Sequence, residues 1–121
     1  MTSGDREPRS MDDDDITDLT LADVLQAAAE GLGDVTVAAT PQGRSWAVGP
    51  AVFAMLADEF AEFRLDPKVT AAALRTPDTA ASARGSDWIV FRPPLLDDHA
   101  VDRAEAWFLS AHRRAAASGR G

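Results

Sequence analysis

The chain has 121 residues, no cysteine and a formal net charge of −8, with 45% hydrophobic and 26% charged residues. Those proportions are ordinary for a single globular domain, and the missing cysteines exclude disulfides, zinc–thiolate sites, iron–sulfur clusters and thiol nucleophiles. No apolar run approaches the ~18–20 residues that span a bilayer, and the first residues lack the apolar stretch of a signal peptide, so the reading is a cytoplasmic chain with no membrane partner.

The acidity is uneven. Residues 1–18 hold seven acids and two arginines, a net of −5, against −3 for the remainder. Residues 1–17 read as a disordered acidic tail in which Asp12, Asp13, Asp14 and Asp15 repel one another. A solvated leader explains them better than a calcium site, because the glycine and distal glutamate of an EF-hand loop are missing. Residues 18–117 read as one domain and 118–121 as a frayed tail.

"TLADVLQAAAEGLG" predicts a helix. Thr20 and Asp23 form a capping box, Leu21, Val24, Leu25 and Ala28 make the apolar stripe, and Gly31 stops it. "DVTVAATP", "SWAVG", "AVFAML" and "FAEFRL" then predict a meander of three or four short antiparallel strands, with turns at "PQGR" and Gly49-Pro50. Ala61, Phe63 and Leu65 alternate with Glu62 and Arg64, the pattern of a half-buried strand. "DPKVTAAALRT" predicts a second helix, capped by Asp66, opened by Pro67, and turning Val69, Ala72, Ala73 and Thr76 to the core. Residues 77–86 read as a loop longer than the usual ~4–6 residues. "DWIVFRP" predicts a strand with Ile89 and Phe91 facing in. The final helix, from "DDHAVDRAEAWF", has acids at its start and Arg113 and Arg114 at its end, as its dipole favours. Val101, Ala104, Phe108 and Ala111 form its stripe. The order implies an α+β fold: an antiparallel sheet of about four to five strands with helices packed on one face.

The segments "SWAVGPAVFAML", "AEFRLDPKVTAAAL" and "SDWIVFRPPLLDDHAVDRAEAWFLSAH" resemble the MmcQ/YjbR-like family over about residues 20–116. Trp88 and Ser110 match family positions. Asp87 stands where members carry glycine, and His112 also departs from the pattern. A small luciferase-like family has much the same plan of elements. The resemblance implies a CyaY-like, frataxin-type fold and a DNA-binding label, and it brings no catalytic residues.

Several constellations invite chemistry. His99 and His112 sit thirteen positions apart on one helix, ~20 Å along its axis, so they share no metal. Ser110 and His112 point to different faces, and no nucleophile elbow or glycine-rich phosphate loop is present. We therefore expect no catalytic residue, metal or cofactor. Trp88, Val90 and Arg92 share the outward face of their strand. Trp88 is either a binding platform or packed against a neighbour such as Trp46. Arg84, in "ARGS", offers an anion contact. Arg64, Lys68, Arg84 and Arg92 make a basic rim if Arg64 and Arg92 end neighbouring strands, although Glu62, Asp66, Asp78 and Asp87 are interleaved with them. The expected function is a small non-enzymatic binding domain of unknown partner, protein or nucleic acid among them; the alternatives are a nucleic-acid-binding protein of the MmcQ/YjbR type and a small-anion or ligand-binding protein or enzyme using residues 77–86. Its candidate contacts are Trp88, Arg92, Arg84, Arg64 and Lys68.

Overall fold

The computed structural model describes residues 19–57 and 60–119, so the acidic leader and the last two positions lie outside the described residues. Helix α1 (Leu21–Glu30) starts as its sequence dictates. The Thr20 N–H donates to Asp23 Oδ2 at 3.1 Å, and the Asp23 N–H donates to Thr20 Oγ1 at 3.2 Å. Its buried stripe is Leu21, Val24, Leu25 and Ala29. Ala28, expected in that stripe, is only half-buried at its margin.

Strands β1 (Thr36–Ala39), β2 (Arg44–Val48), β3 (Ala51–Leu56) and β4 (Ala61–Arg64) follow as the expected meander. Gly49 takes φ 57° in the β2–β3 hairpin, a left-handed conformation that glycine adopts without steric cost. At Gly43, in the β1–β2 turn, a Cβ would lie 2.2 Å from the Leu56 carbonyl oxygen, so only glycine fits there. Helix α2 (Pro67–Ala73) follows, then β5 (Thr79–Ala81), β6 (Trp88–Phe91) and α3 (Asp98–Gly119).

The sheet has six strands in the order β1-β2-β3-β4-β6-β5, each neighbouring pair antiparallel. The four or five strands expected from the sequence fell short because residues 77–86 are not simply a loop. They contain β5, a short edge strand built of Thr79, Ala80 and Ala81, too small and weakly patterned to announce itself. Two finer expectations also fail. The Asp66 side chain makes no cap bond to α2; it pairs with Arg114 instead, at 3.3 Å. And α2 buries Thr70 and Ala73, while Ala72 is exposed. The Thr70 hydroxyl donates to the Leu65 carbonyl at 3.2 Å, which lets it replace an apolar residue.

Cross-strand partners share a face of the sheet. One row therefore runs Trp46, Ala54, Phe63, Ile89, and all four are fully buried. Between Trp46 and Ala47 the register slips, because Ala47 pairs with Val52 and Trp46 with Ala54. Phe53 is the extra residue, and the bulge lets neighbouring Phe53 and Ala54 both be buried, which strict alternation forbids. Helix α3 packs against β2, β3, β4 and α1. Its buried stripe is Ala100, Ala104, Phe108, Ala111 and Ala115, with Val101 at the margin. Phe108 meets Trp46 edge-on at 5.5 Å and Phe53 at 5.2 Å between ring centroids. Trp107 lies against Phe91 at 5.1 Å and Phe63 at 6.4 Å. No helix among the described residues is long and apolar enough to cross a membrane.

Removing the Phe108 ring leaves Trp46 and Phe53 without their shared neighbour. Phe108→Ala should cost about 3–5 kcal/mol in urea unfolding. Leu95→Ala, at a residue 71% exposed, should stay within about 0.5 kcal/mol of the parent.

Candidate functional site

The residues singled out in the sequence divide into two groups. Arg64 and Trp88 are direct cross-strand partners on β4 and β6. Being one step out of phase with Phe63 and Ile89, they point to the opposite side of the sheet from the aromatic core. Arg84, in the β5–β6 connection, brings its guanidinium to 5.7 Å from the Trp88 ring centroid. Arg84 and Trp88 thus form one pair, while the Arg64 side chain turns to Asp87 and lies beside Phe53, Ala111 and Arg114. Trp88 is half-buried there and lies across the sheet from Trp46, which settles that the two tryptophans do not stack.

Arg92 does not join them. Strands β4 and β6 run antiparallel, with Arg64 opposite Trp88 and Ala61 opposite Phe91. Arg64 thus leaves its strand at one end of the pair and Arg92 at the other, separated by four residues of β6, ~13 Å. Arg64 and Arg92 therefore end neighbouring strands at opposite ends and share no rim. Arg92 instead lies over the Phe60 ring, 4.7 Å from its centroid, and its N–H donates to the Asp78 carbonyl at 2.9 Å. Lys68 is exposed on the first turn of α2, and no ion pair joins it to the other candidates among the described residues.

The site has carboxylates at its centre, which sequence reading assigned only to an exposed strand face. Glu62 is 9% exposed although it faces away from the aromatic core. The connection after β5 folds over it. The Ser82 hydroxyl donates to Glu62 Oε1, and Arg84 Nε donates to Oε2 at 3.0 Å. Arg84 also gives its backbone N–H to Ser82 Oγ at 3.1 Å. Beside Glu62 and Arg84 a groove of about 240 Å³ is lined by Thr40, Gln42, Met55 and Phe60. Two of the donors that an anion would need from this segment are therefore already committed to internal acceptors.

Just before the start of β6, Asp87 ties the sheet to α3. Arg64 Nε and Arg114 Nη1 both donate to its Oδ2 at 2.9 Å, and Arg114 Nε reaches Asp66 at 3.3 Å. The Arg64 guanidinium first, and that of Arg114 next, hold the Asp87 carboxyl below its ordinary value of 3.8, against an opposing effect of burial. The Asp87 side chain thus supplies a tether between the sheet and α3. A second tether pairs His112 Nε2 with Asp34 Oδ1 at 2.8 Å, beneath the Phe53 ring. His112 thus meets an acid from the α1–β1 connection. Asp78 holds φ 70°, a conformation that aspartate tolerates better than most residues, and its carboxylate lies 3.7 Å from Arg103.

Comparisons with family models, curated proteins and solved structures find no match to this chain.

The Asp87 tether has a defined pH response. Its folded-state carboxyl titrates below the unfolded one, so its contribution is complete above the unfolded value and is lost as pH falls through the folded value. Asp87→Asn should cost about 1–2 kcal/mol at neutral pH. The gap between variant and parent should close as pH is lowered below 3.8, which urea titrations across the acid range will measure.

Proposed function

We propose that this domain works by binding a protein partner, without catalysis, through the side of the sheet that carries Trp88, with its three helices packed on the other side. The observation that carries this reading is the setting of Trp88. It is half-buried, with the Arg84 guanidinium 5.7 Å from its ring centroid and held by Glu62 at 3.0 Å, and with half-buried Met55 and Val90 on the same face. A rigid aromatic beside a prearranged arginine is the composition of an interface anchor.

Charge separates a protein partner from nucleic acid. Arg84 stands against Glu62 beside Trp88, and Arg64 and Arg114 stand against Asp87 and Asp66 nearer the last helix, so each group is close to neutral. The chain as a whole carries −8. Affinity for DNA comes largely from neutralising phosphates, and each group has already spent its positive charge on its own carboxylates. A mixed-charge protein surface meets no such obstacle. The DNA-binding reading implied by the MmcQ/YjbR resemblance draws on one feature, Arg84 over the Trp88 ring, which is also how a base-stacking platform is built.

Two measurements test this. Trp88→Ala should lose only about 1–2 kcal/mol of stability, well below the cost of truncating a fully buried aromatic residue. A loss as large as that of Phe108→Ala makes Trp88 a structural residue and removes the anchor. In a two-dimensional amide NMR titration with a short DNA duplex, shifts at physiological salt should be absent from this face. Joint movement of the Trp88 indole and the Arg64 and Arg84 amides at that salt overturns the protein-partner reading in favour of nucleic acid.

A further inference from the structure

Glu62 is the only charged residue that is buried among the described residues. It sits in the middle of the sheet, between Met55 of β3 and Val90 of β6. An ionised carboxylate accepts about four hydrogen bonds, two at each oxygen. The Ser82 hydroxyl takes one place on Oε1, and Arg84 Nε takes one on Oε2. Among the described residues, one acceptor site on each oxygen is left open. Glu62 lines the groove of about 240 Å³ on this side of the sheet, so those open sites belong to a buried carboxylate at the wall of a cavity.

The rest of the groove suits a cation carried on an apolar stem. Met55 and Phe60 give it apolar walls, and Thr40 and Gln42 are polar. Long basic side chains lay their stems along such walls while the charged head finds a partner. The chain already places two of its own guanidinium groups on aromatic rings of this face. Arg84 lies 5.7 Å from the Trp88 centroid and Arg92 lies 4.7 Å from that of Phe60, both as exposed residues. Charge points the same way. Ala57 and Phe60 both line the groove, and the Ala57 N–H donates to the Phe60 carbonyl at 3.0 Å. The two residues between them in the chain, outside the described residues, are Asp58 and Glu59. With Glu62 they set three acids against Arg84 and Arg92, and the whole chain carries −8.

We propose that this groove is the anchor point for an arginine of a basic partner protein, its guanidinium meeting the open acceptor sites of Glu62 and its stem lying along Met55 and Phe60. The inference rests on the reading of the Trp88 side as a protein-binding face, and it names the partner's chemistry there. Two parallel N–H donors of a guanidinium fork match the two oxygens of one carboxylate, which the point charge of lysine does not. An acidic segment would meet Glu62, Asp58 and Glu59 with like charge. A purely apolar one would close the groove over a carboxylate whose open sites it cannot bond, at the cost of desolvating them. A second copy of this chain brings the same −8, whereas a basic protein is drawn toward that charge before contact.

The test is a two-dimensional amide NMR titration of the full chain with a blocked glycine–arginine–glycine peptide, run beside the matched glycine–glutamate–glycine peptide at physiological salt. The expected result is joint movement of the Met55, Phe60, Glu62 and Arg84 amides with the arginine peptide and none with the glutamate peptide. Glu62→Gln keeps the shape of the side chain and should weaken that binding about tenfold or more. Phe60→Ala leaves the carboxylate in place and should weaken it about threefold, which keeps the test decisive if the buried Glu62 variant fails to fold. Shifts confined to residues 1–18 overturn the proposal. So does groove binding that is undiminished in Glu62→Gln or in Phe60→Ala. Movement of the groove amides and the Trp88 indole with the glutamate peptide alone also overturns it, while leaving the protein-binding reading in place. Failure of that reading shows separately, in the stability of Trp88→Ala.

Discussion

The edge-on contact of Phe108 with Trp46 and Phe53 is the interaction on which the rest of the structure depends. It sets α3 across β2, β3 and β4. It is available only because the bulge in β3 turns Phe53 to the same side as Ala54. The burial is complete for all three rings, so most of their transfer free energy is realised, with an additional aromatic contribution of about 0.5–1.5 kcal/mol per pair. Once α3 is set by that contact, its polar residues reach partners distant in sequence. His112 arrives at Asp34, and Arg114 arrives at Asp66 and Asp87. Those pairs pin the α1–β1 connection, the start of α2 and the end of β6 to one helix.

The other side of the sheet is organised by charge cancellation. Glu62 is taken out of water by Ser82 and Arg84, and a buried carboxylate without such partners would be costly. The same bonds hold the β5–β6 connection over the sheet and keep Arg84 beside Trp88. An internal requirement, satisfying Glu62, thereby fixes the geometry of the surface proposed for binding. The arginines there are ordered, neutralised and suited to polar recognition with shape, and poorly suited to gathering phosphate.

Much of the fold was legible in the residues, and the reasons for the failures are specific. The Thr20–Asp23 box and the Gly49-Pro50 hairpin each act within a few positions of sequence, and each took the expected form; Ala61, Phe63 and Leu65 turn inward as expected, but Glu62 between them is buried as well. Strand β5 escaped because three small residues carry no periodicity. The Phe53 bulge escaped because an extra residue in one strand is defined only by its partner strand. Asp66 was read as a cap from its position before Pro67, but Arg114, far along the chain, offered a charged partner. Of the candidate contacts, Trp88 and Arg84 were picked out from residue type and came together, while Arg64 turned to Asp87. Glu62 and Asp87, which hold them, looked like ordinary surface acids.

The sequence by itself determined the helices, four of the sheet's strands as a meander, the strand before the last helix, the inward direction of Ile89 and Phe91, and the absence of thiol chemistry. Those follow from local periodicity, capping and composition. The tertiary structure alone decided which side chains share a surface. Strand order places Trp88 opposite Arg64 and sends Arg92 to the far end of the same strand pair, and antiparallel pairing turns what reads as a basic rim into two separate places. It also decided that Glu62 is buried and that β1 is an edge. Pairing, register and edge position are relations between distant segments, and no window of sequence contains them.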